Sequence, residues 1–371
     1  MSALEAAARV GSVADARSAE IEALRRLPTD LVDLLVEEDL LRVHVPASYG
    51  GGELDVPSAF AVTEALAFYD GSTAWCQMIA ATTGLLCGSL PVEHALTLFA
   101  DPASISGGFA APMGQAAACA GGGVLVSGRW QWGSGTQHCT SIGGGTRFAD
   151  GVARFVFMDP RDVELLDTWH VVGLKGTGST DYQARGAFVP EGRWAVAGGS
   201  PVVDGALYRF SFFGALALGV AAVAVGLARR SIVELVALAT VKRPQGSSRP
   251  LAERAPVQAD VATAEAQLRS ARALVDDAVG RAWATVVAGD PNSVDERRDV
   301  RLAATAAVAA AARTVDLMYT AGGGASIFDQ SALQRVFRDV HVATQHAIVA
   351  PRTMELLGRI RLGLETDTAQ L

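Results

Sequence analysis

A glycine-rich stretch between Trp169 and Asp181 limits what the middle of the chain can form. Gly173, Gly176 and Gly178 allow a tight turn in which the backbone comes close to its neighbours. The pattern predicts a strand, a glycine-rich turn and a second strand. A dinucleotide- or phosphate-binding loop opens a helix directly after its glycines, because the helix N-terminus holds the phosphate. No apolar run opens a helix after this stretch, so the sequence argues against such a loop here.

Charge and cysteine usage narrow the class of protein. The chain of 371 residues has a net charge of -8 and no basic cluster, which argues against nucleic acid as a partner. The N-terminus has no long apolar block, so we expect no signal peptide. The cysteines form no Cys-x-x-Cys pair, and we expect free thiols in a reducing cytoplasm. They are Cys76, Cys87, Cys119 and Cys139.

Three zones follow one another along the sequence. Residues 1–103 carry apolar side chains at helical spacing, residues 104–205 are rich in glycine and short β-branched runs, and residues 206–371 return to alanine-rich helical segments. We expect an N-terminal helical domain, a small antiparallel β-barrel or sandwich, and a C-terminal four-helix bundle whose last helix covers residues 333–360. The apolar run 210–228 approaches the length of a membrane span. We expect it to be a buried bundle helix, because nothing else suggests a membrane.

Two motifs stand in the first half of the β zone. Phe109-Ala-Ala-Pro-Met-Gly114 is followed by Trp130-Gln-Trp-Gly-Ser-Gly-Thr-Gln-His138. Together with Phe188-Val-Pro190 and the order of the three zones, they resemble the acyl-CoA dehydrogenase superfamily, and most of all its branch of flavin-dependent two-component monooxygenases. The resemblance covers nearly the whole chain. It implies a mostly α-helical fold with a central β-domain, and it implies a flavin cofactor.

The resemblance also implies that both motifs line the flavin. The hydroxyl of Ser134 would donate to the N5–C4 edge of the ring and hold back the loss of hydrogen peroxide from a flavin C4a-hydroperoxide. Trp130 and Trp132 are two residues apart, so on a strand both would face one side, either in the core or against the flavin. The implied flavin contacts are Ala111, Pro112, Met113, Trp132, Gly133 and Ser134.

A carboxylate base is missing from both positions where acyl-CoA dehydrogenases carry one. Aligned on Arg338-Asp339, the position used by most members falls on Ala347, and the position used by a minority falls on Tyr208. A dehydrogenase needs this carboxylate to take the α-proton of an acyl thioester. Its absence argues against acyl-CoA oxidation.

His341 and His346 stand in the same C-terminal segment. On one continuous helix they would lie about 140° apart around the axis, so we expect no two-histidine metal site. In the similar monooxygenases, a histidine of this segment contacts the substrate or the flavin hydroperoxide. We expect His346 to hydrogen-bond or deprotonate the substrate near neutral pH. His341 would be a substrate contact and the more structural of the two.

Several relatives in that branch carry a further histidine after a Gly-Ser-Thr-Ala-Trp helix. This chain has Gly71-Ser-Thr-Ala-Trp75, but Thr82 or Thr83 falls where that histidine would stand. The resemblance therefore implies a substrate pocket walled by Trp75, Met78 and Thr82. Core packing is the alternative role for Trp75 and Met78.

Two further segments partly match those that hold the ADP half of FAD across a subunit interface in this superfamily. Arg243 and the glycines at 322–324 agree with the pattern, but Gln245 stands where phenylalanine is usual. A basic residue and a glycine loop can hold a phosphate by charge and by backbone N–H groups. Reduced FMN and reduced FAD are both left open. The implied phosphate contacts are Arg243, Gly322, Gly323 and Gly324.

The resemblance implies the oxygenase component of a two-component system. Such a component uses reduced flavin and O2 to hydroxylate a small aromatic or polyketide-like substrate, or to oxidise nitrogen or sulfur. The chain has no nicotinamide fingerprint, so the expected partner is an NAD(P)H-dependent flavin reductase, and the family implies a homotetramer. Two alternatives stay open. One is an acyl-CoA or acyl-carrier-protein dehydrogenase with an atypical base, and the other is a non-catalytic flavin-fold subunit that binds a partner.

Overall fold

The computed structural model of the chain describes residues 2–371. Its N-terminal part is helical, and side chains cap several of the helices. Ser2 and Glu5 form a reciprocal capping box, and Asp55 and Asp70 each accept a backbone N–H at the start of a later helix. The helices are α1 Ala3–Ala16, α2 Ser18–Leu24, α3 Thr29–Glu37, α4 Val56–Tyr69, α5 Gly71–Leu85 and α6 Val92–Phe99.

The middle of the chain forms one mixed sheet. Its strands are β1 Ser106–Ala118, β2 Val124–Gly133, β3 Ser141–Arg147, β4 Ala153–Met158, β5 Val163–Leu166, β6 Thr180–Val189 and β7 Trp194–Ala195. They lie in the order β5-β6-β2-β1-β3-β4-β7. Neighbours are antiparallel except β1 and β3, which pair in parallel and so depart from the expected all-antiparallel arrangement. Trp130 and Tyr182 stack in the core of the sheet at 5.3 Å between ring centroids.

The C-terminal part is a helical bundle. Its helices are α7 Ala206–Arg209, α8 Phe212–Val241, α9 Ala255–Val287, α10 Val294–Gly322, α11 Ala332–Ala343 and α12 Arg352–Arg361. Helix α10 packs against α8, α9 and α11. The expected single helix over 333–360 is wrong, because residues 344–351 interrupt it. Pro351 contributes to the break, since proline disfavours helical backbone in the residue before it.

Helix α8 is the central core helix. It and the segment 294–325 are long and apolar enough to span a membrane by length and composition alone. Within α8, however, 78% of the apolar window is buried by other parts of the chain. Helices α4, α5, α10 and α11 all pack against it. A helix that is apolar on every side is typical of such a buried position, as expected for residues 210–228.

Glycines let the N-terminal helices approach α8 closely. A Cβ atom at Gly226 would lie 2.4 Å from the backbone oxygen of Glu64 and 2.6 Å from the Cβ of Ala67. A Cβ at Gly219 would lie 3.0 Å from the sulfur of Met78. Helix α5 is therefore fixed along the N-terminal half of α8, which sets the position of Trp75 one turn away from Met78.

We expect Gly226→Ala to destabilise the protein by about 1–3 kcal/mol, because the new methyl group overlaps backbone that cannot move without shifting a helix. The matched control is Gly280→Ala in α9, where nothing lies within 4 Å of the added Cβ. That change should stabilise by up to about 1 kcal/mol through helix propensity. Urea unfolding of both variants measures the difference. Equal effects at the two sites would contradict the close approach of α4 and α8.

The glycine-rich stretch docks on α11 and does not begin as a strand. A Cβ at Gly173 would lie 2.4 Å from the backbone carbonyl of Arg338. The next N–H, of Leu174, donates to the carboxylate of Asp339 at 2.5 Å. A short 3-10 turn follows, and strand β6 starts at Thr180. The expected first strand is wrong, because this backbone packs against a helix and does not pair with a neighbouring strand.

Candidate active site

A bulge at the end of β2 separates the two tryptophans of the second motif. The pairing of β2 with β6 shifts between Trp130 and Gly133, and Trp132 has φ 56°. The left-handed backbone is uncommon for a bulky side chain. Trp130 is fully buried and donates from Nε1 to the Gly145 oxygen at 2.8 Å, whereas Trp132 is 55% exposed. The expectation that both share one face is wrong, because a bulge re-aims a side chain.

Trp132 forms an exposed aromatic ledge with Phe109. Their rings meet edge to face at 5.6 Å between centroids. Strand β1 carries a second bulge beside Phe109, since its pairing with β3 shifts between Phe109 and Gly114. Within it, Ala111 and Pro112 are partly buried, and Met113 is half exposed. Trp132 and Met113 are large apolar side chains left uncovered, and Trp132 also has left-handed backbone. Such a surface fits a planar aromatic cofactor such as a flavin.

Ser134 follows directly after β2 and is almost completely buried. Its Oγ accepts a hydrogen bond from Nε1 of Trp75 at 3.0 Å and lies 2.6 Å from Oγ of Ser179. Ser179 in turn lies 2.6 Å from Oγ1 of Thr177, which donates to the Leu174 oxygen at 2.8 Å. Gly133 lies against Tyr182, where an added Cβ would come within 2.7 Å of the ring. Helix α5, strand β2 and the glycine-rich turn thus meet at one chain of hydroxyl groups.

The two ends of this series of hydroxyl groups determine which group donates and which accepts in each hydrogen bond. An indole N–H can only donate, and the proton of Thr177 goes to a carbonyl oxygen. Ser179 must then donate to Thr177, and Ser134 must donate to Ser179. The Ser134 proton is therefore already engaged, so its predicted donation to a flavin edge requires the bond to Ser179 to open.

His346 lies in the turn that follows α11. Its ring packs edge-on against Trp75 at 5.7 Å between centroids. The backbone N–H of Ile348 donates to Nδ1 of His346 at 3.2 Å, which puts the proton of the neutral ring on Nε2. Burial lowers the pKa of His346 to about 4, and the charge of Arg301 adds to the effect. At pH 7 His346 is thus a neutral Nε2–H donor, which favours hydrogen bonding over deprotonation of a substrate.

His341 has different surroundings. Helix α11 ends at Ala343, so the expectation that His341 and His346 share one helix is wrong. Nε2 of His341 lies 2.8 Å from a carboxylate oxygen of Asp316, and its ring packs on Phe337. This pair lies on the α10–α11 face and is about half exposed. The structure does not bring His341 to Trp75 or Ser134.

Trp75 is the one predicted substrate contact that touches Ser134. Met78 and Thr82 border a small cavity between α4, α5 and α8. Both are buried, and the Thr82 hydroxyl donates back to the Met78 carbonyl oxygen at 2.8 Å. His44 lines the same cavity, and burial lowers its pKa to about 4. His44 could not be assigned to this pocket from the sequence, because it lies before α4, 27 residues ahead of the Gly71–Trp75 motif.

The predicted phosphate contacts lie at the far end of α8. Nζ of Lys242 donates to the Gly322 oxygen, which joins the segment after α8 to the glycine loop 322–324. Arg243 is exposed beside them. Gly219 marks the level of Met78, and Val241 lies about 33 Å further along the helix at 1.5 Å per residue. These residues therefore lie at the opposite end of α8 from the part that packs against α5.

Asp339 on α11 holds the glycine-rich turn in place beside the site. It is buried, and its carboxylate accepts the N–H of Leu174, which ends the hydroxyl chain. Burial raises the pKa of Asp339 to about 7, while the Leu174 N–H opposes the shift. The negative charges of Asp70 and Glu22 nearby raise it further. In the sequence, Arg338-Asp339 only fixed the alignment with the acyl-CoA dehydrogenases. In the structure, this pair holds α11 and the glycine-rich turn together.

We expect Asp339→Asn to flatten the pH dependence of stability. The folded pKa is raised, so the folded state keeps a proton that the unfolded state loses between about pH 4 and pH 7. Stability therefore falls as pH rises through that window, by about 4 kcal/mol at most. Urea unfolding from pH 4 to pH 8 measures the slope. Asp33→Asn, at an exposed position on α3, is the control. Equal slopes for both variants would contradict the raised pKa.

Comparison with known proteins identifies the family. Residues 5–94 match the model of the acyl-CoA dehydrogenase N-terminal domain, and residues 218–351 match the model of the acyl-CoA dehydrogenase C-terminal domain. An indole-3-acetate monooxygenase of Pseudomonas putida is 32% identical, over 94% of this chain and 90% of that protein. The oxygenase component of a p-hydroxyphenylacetate 3-hydroxylase from Acinetobacter baumannii is 29% identical, over 95% of this chain and 87% of that protein.

Solved structures agree with the sequence comparison. XiaF from Streptomyces sp., in complex with FADH2 and glycerol, superposes with a TM-score of 0.90 at 26% identity and covers 98% of this chain and 95% of its own. The 3-HSA hydroxylase from Rhodococcus sp. RHA1 has a TM-score of 0.91, covers 100% of this chain and 99% of its own, and at 23% identity shows the fold. The chain belongs to the acyl-CoA dehydrogenase superfamily, in its branch of flavin-dependent monooxygenases.

Proposed function

We propose that this chain is the oxygenase component that receives reduced flavin from a separate NAD(P)H-dependent reductase. One atom of O2 enters a small aromatic or polyketide-like substrate at carbon, or is added at nitrogen or sulfur. The other atom leaves as water, and the two electrons come from the reduced flavin, which is released oxidised. In this reaction the protein binds and orients the flavin and the substrate, and it excludes water. His346 and Ser134 contact the reacting groups.

The observation that carries the proposal is the cluster of buried Ser134 and Trp75 with the partly buried His346, beside the exposed ledge at Trp132. It offers hydrogen-bonding groups in a dry setting, with an aromatic surface next to them. Such positioned groups are worth far more where water is excluded. None of the three is a carboxylate, which suits protection of an oxygenated flavin better than proton abstraction from a thioester.

Tyr208 stands where a minority of acyl-CoA dehydrogenases carry their base, and its properties also favour an oxygenase over a dehydrogenase. Tyr208 is buried, and its hydroxyl donates to the His44 oxygen at 3.2 Å. Burial raises its pKa well above the usual range of a tyrosine. A tyrosine that keeps its proton cannot take one from a substrate. The other base position, Ala347, has no titratable group.

The relatives support an aromatic substrate and leave the flavin open. Two are named for indole-3-acetate and p-hydroxyphenylacetate, both small aromatic compounds. Among structures of the same fold, one holds FADH2 and another, a dibenzothiophene monooxygenase, holds FMN. We therefore propose a small aromatic substrate and either reduced FMN or reduced FAD.

We propose a cytoplasmic homotetramer in which the far end of one bundle completes the flavin site of another subunit. The phosphate segments around Arg243 and Gly322 lie about 30 Å from the level of Trp75. Apolar side chains are exposed at that same end of the bundle, which supports a contact with another copy. They are Val233, Val236, Val241, Ile327 and Phe328.

Rapid mixing tests the function. The protein with chemically reduced FMN or FAD is mixed with oxygenated buffer, and absorbance is followed. We expect a long-lived species that absorbs in the near ultraviolet before oxidised flavin appears. Reoxidation as fast as that of free flavin would contradict the oxygenase proposal. Tightly bound FAD and turnover of an acyl thioester with an artificial electron acceptor would then favour a dehydrogenase, and failure to bind any flavin would favour a non-catalytic subunit.

A further inference from the structure

Arg301 on α10 is a buried positive charge without an acidic partner. It is only 3% exposed, and no carboxylate in residues 2–371 forms an ion pair with it. Its Nε is buried and has no hydrogen-bond partner among those residues. Burial lowers the pKa of the guanidinium to about 10, so Arg301 stays charged at pH 7. An unpaired buried charge lowers stability, which argues that Arg301 has a role beyond packing.

The guanidinium of Arg301 binds two backbone carbonyl groups. Its Nη2 donates to the Ile348 oxygen at 2.7 Å, and its Nη1 donates to the Gln370 oxygen. The first bond holds the turn 344–351 that follows α11, and the second holds the last residues of the described chain. Arg301 therefore fixes both segments on α10. The planar guanidinium suits this task, because its donors stand in a rigid fork.

The bond to Ile348 leads directly to His346. The same residue that accepts from Arg301 donates its backbone N–H to Nδ1 of His346 at 3.2 Å. The His346 ring packs on Trp75 at 5.7 Å between centroids, and Nε1 of Trp75 donates to Oγ of Ser134 at 3.0 Å. A continuous series of contacts thus joins Arg301 to the candidate reacting groups.

Arg301 also acts on His346 through its charge. Burial is the main cause that lowers the pKa of His346 to about 4, and Arg301 is the one charged group that adds to it. The neighbouring ionisable pair of His341 and Asp316, on the α10–α11 face, is not among the groups that shift this pKa. From α5, the ring meets the uncharged Trp75. A cation beside a neutral imidazole makes the ring a poorer base and a stronger Nε2–H donor.

We propose that Arg301 is a positioning residue for His346, which it orients through the peptide at Ile348 and keeps a neutral hydrogen-bond donor by its charge. This inference rests on the proposed oxygenase function and deepens it, because it explains why His346 donates a proton and does not take one. Arg301 acts through His346 and takes no part in oxygen transfer itself.

Titration of the His346 ring by NMR tests the effect of the charge. The full-length protein, labelled with ¹³C at histidine Cε1, is titrated from pH 4 to pH 8, and His346→Asn identifies the signal. In Arg301→Gln we expect the midpoint to rise by about one pH unit, since the imidazolium is no longer repelled while burial remains. Arg301→Lys keeps the charge and should keep the native midpoint. An unchanged midpoint in Arg301→Gln would overturn the proposal. So would a native midpoint near the ordinary value of about 6.5, which needs no variant to fold.

Arg297→Gln is the matched control. Arg297 lies one turn earlier on α10, its Nε is also buried without a partner, and its Nη1 donates to the same tail at the Thr368 oxygen, at 3.4 Å. Among the described residues it has no hydrogen bond to the turn 344–351. The control therefore loses a charge and a tail contact but no contact with the His346 turn. We expect the native midpoint. An equal rise in both variants would overturn the specific role of Arg301.

Product yield tests the orientation of the ring. Arg301→Gln should lower the product formed per reduced flavin by about tenfold or more, because a small displacement of a positioned group slows the reaction strongly. Arg301→Lys should recover part of that loss. A thermal melt accompanies each variant. Lower stability of Arg301→Gln with the native midpoint and the native yield would give Arg301 a structural role only, and would overturn the proposal.

The failure of this inference and that of the oxygenase proposal have different signatures. The NMR titration needs neither flavin nor substrate. A raised midpoint in Arg301→Gln, in a protein that forms no near-ultraviolet species with reduced flavin and O2, would keep the action of Arg301 on His346 and reject the oxygenase. A long-lived species with an unchanged midpoint would keep the oxygenase and reject this inference.

Discussion

Ser134→Ala should release hydrogen peroxide about 100-fold faster than the native protein after reduced flavin meets O2. The reason is the loss of a buried hydroxyl that is held by Trp75 on one side and Ser179 on the other. Removing one positioned hydrogen-bonding group from a site of developing charge costs about 100- to 1,000-fold in rate. Stopped-flow absorbance in the near ultraviolet, with a peroxide assay on the same samples, measures the change.

The companion variant is Ser179→Ala, which should not shorten the lifetime of the near-ultraviolet species. In the native chain the Ser134 proton goes to Ser179, because Trp75 can only donate and Thr177 donates to a carbonyl oxygen. Without Ser179 that proton is free for another acceptor. We therefore expect Ser179→Ala to keep the native lifetime of the near-ultraviolet species or to lengthen it, although the two serines lie only 2.6 Å apart.

The effect of each variant on folding must be separated from its effect on the lifetime of the near-ultraviolet species. Ser134→Ala leaves the buried Trp75 N–H without its acceptor, which costs about 1–3 kcal/mol. A thermal melt shows whether the fold survives this loss. If the two alanine variants shorten the lifetime equally, the hydroxyl chain acts only through packing. An unchanged lifetime in Ser134→Ala would remove Ser134 from the site.

The helices and the overall order of the chain could be predicted from the sequence because local physics decides them. Ser2 with Glu5 and Ser293 with Glu296 form capping boxes just where the apolar spacing begins. The apolar run of α8 resembles a membrane span, and its burial could be predicted because nothing else in the sequence suggests a membrane. Residues 344–351 were missed, since the interruption depends on a turn around His346 as well as on Pro351.

The candidate site could be predicted only in part, because its geometry joins distant segments. Alternation along a strand placed Trp130 and Trp132 on one face, and no local signal revealed the bulge that turns Trp132 outward. The hydroxyls of Thr177 and Ser179 were visible in the glycine-rich stretch. Their link to Ser134 spans 45 positions, so it required the paired strands and the turn on α11.

His346→Ala should lower product formed per reduced flavin by about 100-fold or more, while the near-ultraviolet species changes less. His346 is neutral, with Nδ1 occupied by the Ile348 N–H and Nε2–H free to donate. General acid–base or hydrogen-bonding groups of this kind contribute about 100- to 10,000-fold. Its ring also packs on Trp75, so a loss of packing must be considered. Quantifying product and peroxide in the same reaction separates oxygen transfer from uncoupled loss.

His346→Asn tests the chemical role, because an amide offers both an acceptor for the Ile348 N–H and a donor toward substrate. We expect it to recover part of the yield that alanine loses. Recovery by asparagine would not follow if the ring only filled space, since the amide is smaller than imidazole. Equal yields for the alanine and asparagine variants would therefore assign His346 a packing role.

The pH profile decides whether His346 donates or takes a proton. Its pKa lies at about 4, below the ordinary value, so the ring is neutral throughout pH 5.5–8. We expect no inflection in product yield from this group across that range, and a loss only as pH falls toward 4. The same shift makes the fold less stable as pH drops from about 6.5 to about 4, because the unfolded chain binds the proton first. An inflection near pH 6.5 that His346→Asn removes would instead make His346 a base, with a ring more open to water than its lowered pKa and its packing on Trp75 indicate.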